Sequence, residues 1–534
     1  MQLKYFCNYQ KNTDMKIRFL SFFTLTFLFF TVGLAQEPVI TKPVGIPVPN
    51  YSTESAYIQV VADLDNEILY YQDNDFTINT LGTNKLLLYN KGNQELQTTE
   101  LSIPEGNNYI TSRYLNEVVY NFYFQHNLKS RTIALNKGEV ELPSSSGGSK
   151  KIYPEQIFSY NVDAKVKTYA QFAESNDKKY FSICLITMNE LKSIKYLYTV
   201  VYNEKMEIVW MDQFLPDFKG KETAIADFKV TNKGKALLLL NTYNSEKKKQ
   251  INHEIQLISM FSDHDYTWFS SPTTFGIAQS MKLLELRNGK YFVAGYYCEK
   301  QNTTTAGYFS FTFDPRKEKQ VLSAYNYKFN ETYKEKIVEG FEEPAKPNTE
   351  YDVKCDYLWE LSNDFVVMLG EQYLTFKTVD KKKEITIYSY MCKNLFYHQF
   401  GLDGITAGYD LYGKPQIGTS LKPITELTQL GLSYQAFLVK DVVYIIHNDH
   451  INRVEDVGDP LTSFDADERK ESIVMITKIK KVGFIESKLI MLPQKDFNFQ
   501  KMWYADGRKV FYGATTKKGY FLDQFEIMND WDWD

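Results

Sequence analysis

Short apolar runs alternate with polar positions along almost the whole chain, and the runs are bounded by Asn, Asp, Gly or Lys pairs. Period-two alternation punctuated by such residues predicts β-strands joined by tight turns. The clearest copy is Met281–Arg287, a turn at Asn288-Gly289, then Lys290–Gly295. Asn-Gly between two strand runs is a strong hairpin signal, because both turn positions require positive φ. The same unit appears at Ile58–Leu64 with Glu67–Tyr71, Ile110–Tyr114 with Val118–Phe124, and Thr168–Ala173 with Lys179–Ile186. It recurs at Ile225–Val230 with Ala236–Asn241, and at Asp356–Leu361 with Phe365–Leu369. The last two are Tyr434–Val439 with Val442–His447, and Lys501–Tyr504 with Lys509–Gly513. Eight hairpins result.

A more polar connection and further strands follow the hairpins. Third strands are expected at Glu254–Phe261, Gly307–Phe313, Ile385–Met391, Ile473–Ile479 and Tyr520–Ile527. Fourth strands are expected at Tyr266–Ser270, Gln320–Tyr325, Leu395–Phe400 and Phe484–Met491. Four strands per repeating unit describe a propeller blade. The expected fold class is therefore all-β, a single β-propeller of eight four-stranded blades spanning residues 57–528. Seven blades is one alternative, since the two N-terminal units are the least regular, and a pair of β-sandwich domains is the other. The last unit stops after three strands, so a strand from Val39–Val48, within the N-terminal segment 36–56, is expected to close the ring. Lys336–Glu350, Lys414–Leu430 and Asp449–Glu471 interrupt the rhythm as polar, proline-containing insertions. Binding residues concentrate on such loops.

The N-terminus carries a different pattern. Lys16 and Arg18 precede the unbroken apolar run Phe19–Leu34, which closes on Gly33-Leu34-Ala35 before Gln36-Glu37-Pro38. A basic segment, a short apolar stretch and a small residue describe a secretory signal. The run falls short of the ~20 residues that span a bilayer as a helix, so residues 1–35 are read as a signal peptide cut after Ala35 and not as an anchor. Met15 directly precedes the basic residues, so an upstream mis-assigned start is one reading of residues 1–14. At the other end, residues 529–534 form an acidic aromatic tail.

Composition sharpens this picture. Aromatic residues make up 16% of the chain, and aromatic side chains suit a pleated, half-buried surface. The net charge of −5, with both signs interspersed, gives no reason to expect nucleic acid or an anionic membrane surface as partner. Cys184, Cys298, Cys355 and Cys392 follow the signal; export permits disulfides, yet they are too few for a disulfide scaffold, and their state stays open.

Candidate chemistry is sparse. His126, His253, His264, His398, His447 and His450 are the only histidines. One local cluster, His447-Asn448-Asp449-His450, stands where an apolar strand gives way to a long insertion, and His447, Asp449 and His450 are the candidate binding residues. They could share one metal only if the chain turned there, since in a strand His447 and Asp449 face one way and His450 the other. A capped polar turn accounts for the same residues. The alternating acids Asp63, Asp65 and Glu67 do not make a calcium loop, because Ile68 and Asn74 stand where Gly and Glu are required. The chain has no Gly-x-Ser-x-Gly, Walker, Gly-x-Gly-x-x-Gly or His-Glu-x-x-His motif, so no catalytic residue, metal or cofactor is assigned.

The Ala35-Gln36 junction, the Tyr and Phe content, the hairpin at Asn288–Gly295, the segment Val443–His450 and the closing runs Gly507–Gly513 and Gly519–Asp523 resemble uncharacterised exported β-propeller-like proteins of Bacteroidota. The resemblance implies a periplasmic, cell-surface or secreted location and no known activity. The expected function is a monomeric binding or scaffold protein of the cell envelope recognising a protein or glycan. The alternative is an envelope glycan hydrolase whose carboxylates converge on the axial channel from several blades.

Overall fold

A computed structural model describes residues 46–47 and, apart from short connections, residues 57–330, 350–407, 434–450 and 472–526. All regular elements among them are strands, arranged in eight sheets. Each sheet is one blade of a single β-propeller, and each predicted hairpin supplies the first two strands of one blade. The first strands of blades 1 to 4 are Tyr57–Leu64, Asn107–Leu115, Lys167–Glu174 and Lys221–Val230. Those of blades 5 to 8 are Ile277–Glu285, Glu350–Glu360, Tyr434–Val439 and Asn498–Asp506. These are the inner strands. Successive inner strands lie side by side from blade 1 to blade 6 and from blade 7 to blade 8, and that of blade 8 lies against that of blade 1. Those of blades 6 and 7 are joined by a Tyr434–Asp356 hydrogen bond. Blade 8 takes its fourth strand from the N-terminal side, with Ile46 opposite Leu522 and Pro47 opposite Phe521.

The apolar second strands are sandwiched between neighbouring sheets. In blade 4, Leu238 and Leu240 pack toward blade 3 with Trp210 and Phe228. Leu237 and Leu239, on the opposite face, pack toward blade 5 with Leu283 and Val293. Full burial of each leucine contributes about 1.5–3 kcal/mol. A strand buried on both faces needs apolar residues at consecutive positions, which is why Ala236–Leu240 reads as an unbroken run.

Two blades depart from the expected plan. Blade 1 has a fifth strand, Gly148–Lys151, which runs parallel to Leu96–Ser102. This segment lies between the third and fourth strands of blade 2, so blade 2 reaches across to cover its neighbour's edge. Ile152, just beyond it, is buried in the core between the two blades, and the absence of a Cβ on Gly138 leaves room for it. In blade 6, Ile385–Met391 and Leu395–Phe400 are one strand, Ile385–Gly401, and not a third and a fourth. The polar pair Lys393-Asn394 that separates the two runs is a bulge facing Gln372. The fourth strand is the short Thr406–Ala407.

Antiparallel order gives the propeller two distinct faces. One, the turn face, carries the turns between first and second strands. The other, the connection face, carries the turns between second and third strands and the links from each blade to the next. On that face the Val162 N–H donates to Arg131 O at 2.9 Å, and the Thr223 N–H donates to Lys192 O at 2.9 Å.

Candidate functional site

The inner strands are the surfaces nearest the axis, and six of the eight share one irregularity. Their register with the second strand slips at Val61, Ile110, Ala226, Gln279, Asp356 and Gln500. A bulge bends the strand and re-aims its side chains. Opposite the bulge, blades 5, 6 and 8 place a glycine: Gly295 pairs with Met281, Gly370 with Cys355, and Gly513 with Lys501. A Cβ on Gly295 would stand 2.1 Å from Ser280 O, and one on Gly370 would stand 2.8 Å from Lys354 O.

Neighbouring inner strands belong to different sheets, and polar side chains bridge several of these junctions. Gln59 of blade 1 donates to Thr111 Oγ1 at 3.2 Å and Ser112 O at 3.3 Å in blade 2. Arg113 of blade 2 pairs with Glu174 of blade 3 and lies over the Phe181 ring. Asp227 of blade 4 accepts the Leu283 N–H of blade 5 at 2.9 Å, and Lys282 Nζ lies 3.5 Å from its other oxygen. Ser280 Oγ accepts the Cys355 N–H of blade 6 at 2.9 Å. Tyr434 of blade 7 donates its hydroxyl proton to Asp356 Oδ2 at 2.9 Å.

Asp227 with Lys282, and Asp356 with Lys354 and Tyr434, thus form a ladder of charged and polar contacts across blades 4 to 7. The Asp356 side chain is 2% exposed, with Lys354 Nζ 3.6 Å from Oδ1. Burial pushes its pKa up to about 6, against the pull of Lys354, Tyr434 and Lys282. Burial pulls Lys282 down, but Asp227 and the other nearby acidic groups outweigh it and hold its pKa above the ordinary value. Sequence reading placed Asp356 at a strand start without singling it out. Gly370 was the available signal, and a glycine names no carboxylate.

The other described inner-strand carboxylates also meet donors of the protein. Asp63 pairs with Lys91 at 2.6 Å and Glu222 with Lys192 at 3.0 Å. Glu285 accepts the Asn232 N–H at 3.3 Å, and Glu360 accepts the Arg287 N–H at 2.7 Å.

The His447–His450 cluster has a different setting from the one its sequence suggests. Val442–His450 is one strand, with His447 opposite Met475, Asp449 opposite Ile473 and His450 opposite Ser472. The chain stays extended through His450 because Ser472–Ile479 pairs along it. Positions 447 and 449 therefore share one side of the sheet and 450 takes the other. The side chains from Ile446 to His450 lie outside the described residues, as do the signal segment, the tail and nearly all of the three insertions. Two other histidines are core groups. His253 bonds Thr273 Oγ1 at 2.8 Å and Asn241 Oδ1 at 3.1 Å, and burial pulls its pKa down to about 4. His398 is fully buried against Tyr308, and burial lowers it to about 3. Cys184, Cys298 and Cys355 are buried free thiols. Among the described residues, no group of three or more His, Cys, Asp or Glu is placed to hold a metal ion.

No protein-family model matches the chain, and no curated protein matches it. Among solved structures, it is similar to the β-propeller domain of the Trilobed protease from Pyrococcus furiosus. The identity is 8%, over 83% of this chain and 98% of that one, with a TM-score of 0.32. Polysaccharide lyase Uly1 is similar at 10% identity over 78% of this chain and 90% of that one, with a TM-score of 0.34. The α-L-arabinanase of Penicillium chrysogenum is similar at 10% identity over 68% and 94%, with a TM-score of 0.31. These likenesses concern the propeller fold, which the eight sheets and their ring closure establish independently.

Proposed function

We propose that this propeller is a non-enzymatic binding protein of the cell envelope, exported by the N-terminal signal and recognising a protein or glycan through one face. One observation carries the choice of binding over hydrolysis. Every inner-strand carboxylate with a described side chain is engaged by a lysine, an arginine, a tyrosine hydroxyl or a backbone N–H of the protein itself. A glycosidase needs two carboxyl groups about 5–10 Å apart and open to the substrate. Here all the described inner-strand carboxylates but Asp63, which pairs within its own blade, join neighbouring blades.

Asp356 supports a second reading. A carboxyl with a pKa of about 6 has the property expected of a general acid, so the hydrolase alternative centres on it, although its 2% exposure and its Tyr434 bond count against contact with a substrate. Glycan arrays and envelope extracts probed with the purified protein test both. Saturable capture of one glycan or protein class without release of new sugar ends is the expected result. Hydrolysis that disappears in Asp356→Asn would overturn it.

A further inference from the structure

The connection face of blades 2 and 3 carries three protruding leucines. Leu128 is 73% exposed, Leu191 75% and Leu215 59%. The first two occupy equivalent turns between second and third strands, and both turns are built by asparagine. Asn127 Oδ1 accepts the Lys129 and Ser130 N–H groups, and Asn189 Oδ1 accepts the Ser193 N–H. Each turn contains a residue in the left-handed region, Arg131 or Lys192, whose carbonyl anchors the link to the next blade. The tips are thus fixed in place, and each holds its leucine out into solvent. Leu215 follows the fourth strand of blade 3, Ile208–Phe214, which runs toward the same face.

The charge around these tips is segregated. Lys129, Arg131, Lys165, Lys167, Lys192 and Lys195 are exposed there, against the acids Asp163, Glu190 and Glu222, although the whole chain carries a net charge of −5. The bases come from three separate stretches of chain, so linear charge reading cannot assemble them. Among the described residues, only the Lys165–Glu190 and Lys192–Glu222 ion pairs offset them, at 3.5 and 3.0 Å.

We propose that this face docks reversibly on an anionic lipid bilayer, with the leucines entering the interfacial layer and the lysines lying at headgroup level. Apolar side chains backed by basic ones describe interfacial binding. Separate single-leucine tips suit a soft continuous surface, whereas a protein partner would have to offer a matching pocket to each. The proposal stands independently of the glycan or protein partner proposed above.

Co-sedimentation of the full chain with phosphatidylcholine vesicles, with and without one-fifth phosphatidylglycerol, tests it. Wild type is expected to bind the anionic vesicles at least tenfold more strongly, and less so at high salt. Leu128→Asp/Leu191→Asp should lose most of that difference, as should Lys129→Glu/Lys165→Glu/Lys192→Glu, with unchanged melting transitions. Since these side chains are exposed, misfolding is separable by circular dichroism. Equal binding to both vesicles, no binding, or variants that bind like wild type would each overturn the proposal. So would a leucine variant that loses capture of a protein partner while vesicle binding stays intact.

Discussion

The carboxylate of Asp441, in the first turn of blade 7, accepts the backbone N–H of Ser362 in the first turn of blade 6 at 2.7 Å. The Ser362 hydroxyl meets the other Asp441 oxygen. The same relation links earlier blades. Asp177 N–H donates to Asn232, Asn232 N–H to Glu285, and Arg287 N–H to Glu360. The turn face of blades 3 to 7 is thus clasped by side chains that reach across from one turn to the next.

This arrangement predicts a split between two substitutions at Asp441. The residue has φ of 67°, a region that Asn tolerates and Ala resists. Asp441→Ala should lose roughly 1–2 kcal/mol, from the lost charged acceptor and the backbone strain together. Asp441→Asn should lose less than half of that. Urea unfolding of the two variants against wild type measures both. Equal losses would mean that an amide cannot replace the carboxylate and that backbone strain adds nothing, and would contradict this account.

Gly295 permits a sharper test, because space and conformation can be separated. A Cβ there would collide with the Ser280 carbonyl at the bulge, whereas one on Gly289 meets nothing within 4 Å and faces only its φ of 78°. Gly295→Ala should therefore cost about 3 kcal/mol or more, as overpacking against backbone does. Gly289→Ala should cost about 1 kcal/mol, the penalty of left-handed backbone. Comparable melting temperatures for the two variants would contradict this account.

The contrast between these two glycines also shows what a linear reading can reach. Gly289 announces itself through its asparagine partner, so the hairpins and the eightfold repeat were legible. Gly295, Gly370 and Gly513 end their apolar runs equally visibly, but nothing local says that each faces a bulge on the partner strand. Lys393-Asn394 misleads for the same reason: a polar pair between two apolar runs reads as a turn, and only pairing with Gln372 makes it a bulge. The parallel strand Gly148–Lys151 was hidden because it carries no alternation and borrows its register from another blade. The ladder at Asp356 joins residues 78 positions apart, a separation at which composition and spacing carry no signal.

His253 sets part of the acid limit of stability. Its pKa of about 4 lies below its ordinary 6.5, so the unfolded chain takes up a proton before the native one does. Its contribution is complete above pH 6.5 and declines as pH falls toward 4, by roughly 3 kcal/mol at most. His398, lowered further, acts with the same sign. His253→Gln should flatten the fall in urea midpoint between pH 6.5 and 4 without abolishing it. A variant profile parallel to wild type would mean that His253 titrates in the fold as it does in the unfolded chain.

Asp356 acts with the opposite sign in an overlapping window. Its pKa is raised from 3.8 to about 6, so between those values the native protein binds the proton that the unfolded chain has released. The stability linked to this group therefore grows as pH falls from about 6 toward 4, and is lost as pH rises through 6. Above that point Lys354, Lys282 and the Tyr434 hydroxyl retain the ionised carboxylate at the cost of its desolvation. Asp356→Asn keeps an acceptor for Tyr434 and removes the titration. Relative to this variant, wild type should gain roughly 1–3 kcal/mol as pH falls from 7 to 4, while the difference between the two stays level above pH 7. The His253 effect is common to both proteins and cancels in the comparison. If the difference between their unfolding midpoints were independent of pH, Asp356 would be an ordinary ionised bridge, and the hydrolase reading would lose the one group that favours it.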